Sequence, residues 1–266
     1  MTFVIPFPQI DPVLVSFGPL AIRWYSLAYI AGLLIGWRLL RGMVARQPQV
    51  SNDAGVDDYL VWAALGVILG GRLGYVLFYN LPFYLDNPLK ALAVWQGGMS
   101  FHGGLIGVVL ATLIFCRQRK IDLWLFADRV ACVAPVGLFF GRIANFINGE
   151  LFGRVTDAPW AMAFPRGGPD PRHPSQLYEA FLEGAVLFTV LMWLARSESI
   201  RKRSGVLTGV FLAGYGTARM VVEFFRQPDA HLGFLGLGAT MGQWLSAPLI
   251  AVGIYLIVRK PPQAEA

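Results

Sequence analysis

Apolar side chains along this chain fall into seven runs, around Trp24 to Leu40, Tyr59 to Tyr79, Phe101 to Cys116, Leu123 to Phe140, Ala180 to Leu194, Val206 to Phe225 and Met241 to Val258. A helix needs about 20 residues to cross roughly 30 Å of hydrocarbon, so the pattern predicts an all-α polytopic membrane protein with about seven transmembrane helices. The third and fifth runs are short, and each reaches full length only by taking in polar residues at its outer end. The longest connection, from about Asn148 to Pro174, is rich in Gly, Pro and Arg (FPRGGPDPRHP). It is too short for a domain of its own and too long for a plain connector. That predicts a small cap over 148–174 within a single integral membrane domain, 1–266. The first twenty residues carry no basic n-region and no small-residue cleavage site, so they do not read as a signal peptide. They predict an interfacial segment broken by prolines. No internal repeat is evident, which counts against inverted-repeat transporter architectures.

Composition agrees with the pattern: the 266 residues are 56% hydrophobic and 14% charged, with a mean hydropathy of +0.55, values a soluble domain rarely reaches. Loops kept in the cytoplasm carry the Lys and Arg excess. Here Arg38, Arg41 and Arg46 follow the first run, and Arg117, Arg119 and Lys120 the third. Arg196, Arg201, Lys202 and Arg203 follow the fifth, and Arg259 and Lys260 the seventh. The opposite loops hold only scattered charges, Lys90, Arg154, Arg166, Arg172 and Arg226. This predicts a periplasmic N-terminus and a cytoplasmic C-terminus, and it accounts for the net charge of +6 without a nucleic-acid partner. Cys116 and Cys132 lie in or at the edge of apolar runs without metal-ligand spacing, and read as core filler. No metal or other cofactor is expected.

In this topology the polar intramembrane residues fall at one depth. Tyr25, Arg72, His102, Arg142, Asn145, Glu150, Glu179, Glu183, Tyr215, Arg219, Glu223 and Arg226 all map to the outer half of the layer, and Arg129 is the exception. Ionisable groups in a membrane persist when they pair, line a wet cavity or do chemistry. Glu179 with Glu183 and Arg219 with Glu223 are i, i+4 neighbours on a helix face, and the second pair could neutralise itself. Gly97, Gly98, Gly103 and Gly104 around His102 either allow close helix packing or let backbone approach a ligand. His102 itself reads either as a buried, hydrogen-bonded histidine or as a reacting group. Packing gives no reason for so many costly groups to share one depth, and that depth is where phospholipid phosphates sit. Arginine binds phosphate through a planar fork of donors. Several Arg with one His, and no serine-nucleophile motif, point to reaction at a phospholipid head group without covalent catalysis.

The chain also resembles a known family, the bacterial phosphatidylglycerol prolipoprotein diacylglyceryl transferases. The resemblance rests on RWYSLAY, GGRLGYVLFYN, WQGGMSFHGGLIG, GRIANFINGELFGRVTD, RHPSQLYEAFLEG and YGTARMVVEFFRQPD, and covers nearly the whole chain. It implies transfer of diacylglyceryl from phosphatidylglycerol to the lipobox cysteine thiol of a prolipoprotein, in the bacterial inner membrane with the site facing the periplasm. It implies that Arg142 and Arg219 bind and stabilise phosphate and that His102 is the base. Tyr25, Asn145, Glu150, Gly153, His173, Glu179 and Tyr215 match further motif positions that shape or hydrogen-bond the site. Glu150 could instead hold an arginine, and His173 could only anchor the outer loop. The implied partners are phosphatidylglycerol, prolipoprotein signal peptides and membrane lipids. The competing classes are a lipid transporter or scramblase, whose polar residues should run through the full thickness of the bilayer, and a structural membrane subunit, which would need neither His102 nor two deep arginines.

Overall fold

The computed structural model describes residues 4–8, 10–18, 20–228 and 235–259. Lys260, counted above among the basic residues, and Asp229 of the last motif lie outside the described residues, as do Met1 to Phe3, Gln9 and Pro19 of the N-terminal segment. The described chain is mostly helical. The long helices are α1 (Trp24–Val44), α2 (Asp53–Phe78), α3 (Phe101–Arg119), α4 (Leu123–Ile147), α5 (Ser175–Leu194), α6 (Val206–Val222) and α7 (Met241–Val258). Six are long and apolar enough to cross a membrane, and α6, with 17 residues, is the shorter apolar helix. Two features depart from an all-α reading. β1 (Ile5–Pro6) pairs in parallel with β4 (Met162–Ala163), and β2 (Val13–Phe17) forms an antiparallel pair with β3 (Leu20–Arg23). The proline-broken N-terminal segment is thus partly strand, because pieces this short carry no readable period. The helices also outrun the apolar runs. Asn52 caps α2 by accepting from Gly55 N at 2.8 Å, which starts the helix in polar sequence, and α5 starts at Ser175 rather than Ala180.

The chain divides into two compact units, Leu40–Ala127 and the remainder, Met1–Leu39 with Asp128–Ala266. In the first, α2 and α3 meet along glycines. A Cβ added at Gly66 would lie 2.6 Å from Gly107 O, and one at Gly74 would lie 2.8 Å from Gly103 Cα. Of the glycines beside His102, Gly103 therefore serves close helix packing. Further along the pair, Tyr59, Phe115 and Phe126 form an aromatic cluster with centroids 4.8 to 5.5 Å apart. Tyr59 hydroxyl bonds Thr112 Oγ1 at 2.9 Å, and Thr112 in turn donates to Val108 O. Arg41 and Arg119 reach the start of α2, pairing with Asp53 and Asp58.

In the second unit α6 packs on α7 through Gly209, Gly216 and Gly253. A Cβ at Gly209 would stand 2.7 Å from Gly253 O. Gly184 of α5 lies against Phe139 of α4, and Gly32 of α1 against Gly137 of α4. Asp128, fully buried, accepts from the main-chain N–H of Gly205 (2.9 Å) and Thr208 (2.7 Å) and from the Thr208 hydroxyl (2.7 Å). It supplies from α4 the N-terminal cap that Gly205 cannot give to α6. The 148–174 segment is folded rather than extended. Phe164, buried, packs on Phe7 at 5.2 Å and Phe152 at 5.5 Å, and bridges tie Val155 and Met162 to Arg172.

Candidate active site

Three helices of the larger unit deliver the charged centre. α4 runs on past the apolar run to Ile147, so Arg142 and Asn145 are helical residues near its end. α5 contributes Glu179 and Glu183, and it passes through a π-helical stretch, Ala180–Val186, that includes Glu183. Such stretches cluster at functional sites because one widened turn re-aims side chains. α6 contributes Tyr215 and Arg219, and Glu223 caps its end.

Arg142 Nη1 lies 3.3 Å from Glu179 Oε2, and its Nη2 lies 3.3 Å from Glu183 Oε2. Arg219 pairs through Nη1 with Glu179 Oε1, and through Nη2 with Glu223 Oε1 at 2.5 Å. Glu223 also meets Arg226 at 3.3 Å and accepts from the Thr240 hydroxyl at 2.6 Å. The side chains of Glu179 and Glu183 have 0% exposure, whereas Arg142 keeps 17% and Arg219 12%. The carboxylates form the floor and the guanidinium groups the accessible surface. Each fork is held flat by carboxylates behind it, leaving the remaining N–H edges for an anion from the open side.

A second set adjoins this one on α4. Asn145 Nδ2 donates to Glu150 Oε1 at 2.8 Å and to the Tyr25 hydroxyl at 3.4 Å. Glu150 therefore holds Asn145. Gln176, fully buried, donates to Glu150 O at 2.6 Å and fixes the turn that presents it. Tyr215 interacts electrostatically with Arg142, Arg219, Glu179 and Glu183. Gly153 has a backbone reason to be glycine. Its N–H donates to His173 O at 2.8 Å, and a Cβ there would lie 2.6 Å from His173 Cβ. His173 Nδ1 shares a 3.1 Å hydrogen bond with the Tyr178 hydroxyl, which accepts from Trp160 Nε1 at 2.6 Å. Partial burial pushes the His173 imidazole below its ordinary pKa, so at neutral pH it is an uncharged member of that chain. Its ring also packs on Phe225 at 5.2 Å. An apolar cavity of about 240 Å³ lies among Trp160, His173, Tyr178, Leu182, Val221, Val222 and Phe225.

Of the residues the sequence singled out, Arg142, Arg219, Glu179 and Tyr215 come together in the ion network, and Tyr25, Asn145 and Glu150 in the adjoining set. Gly153 and His173 meet each other in the 148–174 segment. His102 belongs to the smaller unit, exposed in the first turn of α3, with its ring edge-on to Phe101 at 5.7 Å. Arg72, in the same unit, has its guanidinium committed to main chain. Its donors go to Ala91 O, Lys90 O, Gly97 O and Gly98 O, and its plane lies 5.2 Å from the Tyr84 ring centre. It clasps 88–98. Glu183, Glu223 and Gln176 were absent from the site read from sequence. The sequence signals for the first two were their place in the outer polar layer and their i, i+4 spacing from Glu179 and Arg219. Gln176 gave none.

A family model described as prolipoprotein diacylglyceryl transferase matches residues 12–259. The chain belongs to this family. It is 62% identical over 258 residues to the phosphatidylglycerol-prolipoprotein diacylglyceryl transferase of Paramagnetospirillum magneticum, covering 97% of this chain and 96% of the relative. It is 61% identical over 260 residues to the protein of the same name from Rhodospirillum rubrum, covering 97% and 95%. It is 53% identical over 270 residues to that of Rhizobium meliloti, covering 99% and 96%. The match to the prolipoprotein diacylglyceryl transferases takes in both units, so Arg142, Arg219 and their carboxylates lie within the matched region, as does His102.

Proposed function

We propose that the protein transfers the diacylglyceryl group of phosphatidylglycerol to the lipobox cysteine thiol of prolipoproteins, forming a thioether and releasing glycerol phosphate. The observation that carries this reading is the pair of slightly exposed guanidinium forks, Arg142 and Arg219, backed by buried carboxylates. Family membership supplies the reaction, and the forks supply what it needs. As the glyceryl C–O bond breaks, negative charge grows on the departing phosphate, and preorganised cations stabilise it. Arg142 and Arg219 hold the head group and the leaving phosphate. Tyr25, Asn145, Glu150, Glu179 and Tyr215 shape and hydrogen-bond the site, and Gly153 with His173 builds its edge. His102 is the base for a thiol that at neutral pH is mostly protonated.

The reading includes an orientation. One integral membrane domain crosses the bilayer seven times, with α6 as the seventh span, the N-terminus outside, the C-terminus inside and 148–174 as a periplasmic cap. The protein resides in the bacterial inner membrane, where phosphatidylglycerol and lipobox signal peptides meet. Neither nucleic acid nor a cofactor enters the reaction. Purified protein incubated with phosphatidylglycerol and a lipobox peptide should yield the diacylglyceryl adduct by mass spectrometry. Folded protein that moves lipid between leaflets yet forms no adduct would favour a transporter or scramblase instead.

A further inference from the structure

Arg142 and Arg219 stand against Glu179 and Glu183 at the buried centre of the network, and Glu223 is answered in addition by Arg226 and the Thr240 hydroxyl. The next guanidinium, Arg154, directs Nε and Nη2 to the main-chain oxygens of Arg226 and Glu223. Charge at the centre is thus balanced before substrate arrives. An anionic phosphate brought against Arg142 adds a negative charge beside two carboxylates with no solvent exposure. Such an excess is relieved when one carboxylate takes up a proton.

The two carboxylates differ in how they are held. Glu179 meets Arg219 with Oε1 and lies 3.3 Å from Arg142 with Oε2. Glu183 has Oε2 at 3.3 Å from Arg142; each carboxylate has one oxygen without a hydrogen bond among the described residues, but that of Glu179 has Arg142 at 3.3 Å whereas Oε1 of Glu183 has only Arg219 Nη1, 4.0 Å away. Once a phosphate takes the remaining N–H edges of Arg142, Glu183 shares its closest cation with a second anion, while Glu179 keeps Arg219 as well. The charged and titratable groups facing Glu183 are Arg142 from α4, Arg219 and Tyr215 from α6, and Glu179 one turn back on α5. Of the other three only Arg219 is a cation, and its Nη1, 4.0 Å from Glu183, is the atom that Glu179 already holds.

We propose that Glu183 takes up a proton when the phosphatidylglycerol head group binds and holds it, as a neutral acid behind Arg142, until the phosphate leaves. The inference rests on the reaction proposed above. The glyceryl carbon–oxygen bond breaks with its electron pair on the phosphate oxygen, and glycerol phosphate departs. The sulfur–carbon bond forms from the thiol sulfur, and the thiol proton leaves through its base to solvent. The thiol proton leaves at transfer, and the proton that entered at binding leaves when the anion departs, so Glu183 returns to the carboxylate that pairs with Arg142.

The test is calorimetric titration of the full chain in detergent with short-chain phosphatidylglycerol at about pH 8, in two buffers of different ionisation enthalpy. The wild type should take up about one proton per lipid bound, the stoichiometry of a single linked carboxyl. Glu183→Gln should bind the lipid with no uptake, and Glu198→Gln, whose partner is Lys202 outside the network, should retain it. Zwitterionic phosphatidylcholine, which adds no net charge, should give no uptake in the wild type, a comparison that needs no variant. Binding of phosphatidylglycerol without uptake in the wild type, or with undiminished uptake in Glu183→Gln, overturns the proposal. The adduct assay on the same preparation separates the two readings. Adduct formation with no proton uptake sinks the role of Glu183 and leaves the transferase reaction standing.

Discussion

Arg142 keeps 17% of its side chain exposed while two carboxylates hold it from behind, and that geometry makes shape as important as charge. Arg142→Lys preserves the charge but loses the planar fork, so two directed contacts become one point charge. Adduct formation in membranes should fall on the order of tenfold or more, as when a charge-stabilising donor is removed. Near-normal turnover by folded Arg142→Lys would mean that Arg142 contributes only positive potential. His102 calls for a different measurement. If it takes the thiol proton, His102→Gln should lose about a hundredfold in rate, regain part of it as pH rises and the thiol ionises unaided, and bind phosphatidylglycerol almost unchanged. Weaker lipid binding with an unaltered pH profile would instead make His102 a head-group contact. At this scale the sequence was legible where a residue was costly. An arginine or glutamate in an apolar run declares itself, but its partner does not. Nothing local in the sequence says that Glu183 faces Arg142, 41 positions away, or that Arg72 is spent on carbonyls.

Helices were readable in kind but not in extent. An apolar run ends where polar residues begin, whereas the helix ends where a cap ends it, so Asn52 and Thr240 set starts that hydropathy does not register. The π-helical stretch of α5 leaves no mark in residue order either, although it carries Glu183. Glycine is the opposite case, ambiguous in sequence between packing and ligand approach and decided by what lies opposite each residue. At Gly107 a Cβ would stand 2.8 Å from Gly66 C and 3.0 Å from Gly70 Cα, which are backbone atoms that cannot swing aside. At Gly36, also within a helix, nothing lies within 4 Å. Gly107→Val should therefore destabilise by at least about 1–3 kcal/mol, the range for overpacking a tight site, and lower the thermal midpoint of the detergent-solubilised protein. Gly36→Val should move it little. Equal effects of the two would show that the α2–α3 approach is looser than the glycines suggest.

For the whole molecule, the orientation comes from the alternation of basic and sparsely charged loops, since a fold alone has no inside or outside. Gln49 lies in the α1–α2 connection that follows Arg38, Arg41 and Arg46, and Asp170 lies in the folded 148–174 segment; both are exposed. In the proposed orientation the basic excess keeps the first loop in the cytoplasm, and three crossings between the two positions put the second outside. With Cys116 and Cys132 replaced, a cysteine at Asp170 should react with an impermeant thiol reagent applied to the periplasmic face of intact cells. A cysteine at Gln49 should react only after the membrane is permeabilised. Labelling of both from outside would mean an even number of crossings between them, and α2, α3 or α4 would not be a span. The reversed pattern would keep every helix and turn the molecule over, carrying Arg142 and Arg219 to the cytoplasmic leaflet, where a secreted lipobox thiol could not reach them. The same labelling result thus bears on topology and reaction together, because the phosphate contacts proposed for Arg142 and Arg219 are useful only on the side where the thiol arrives.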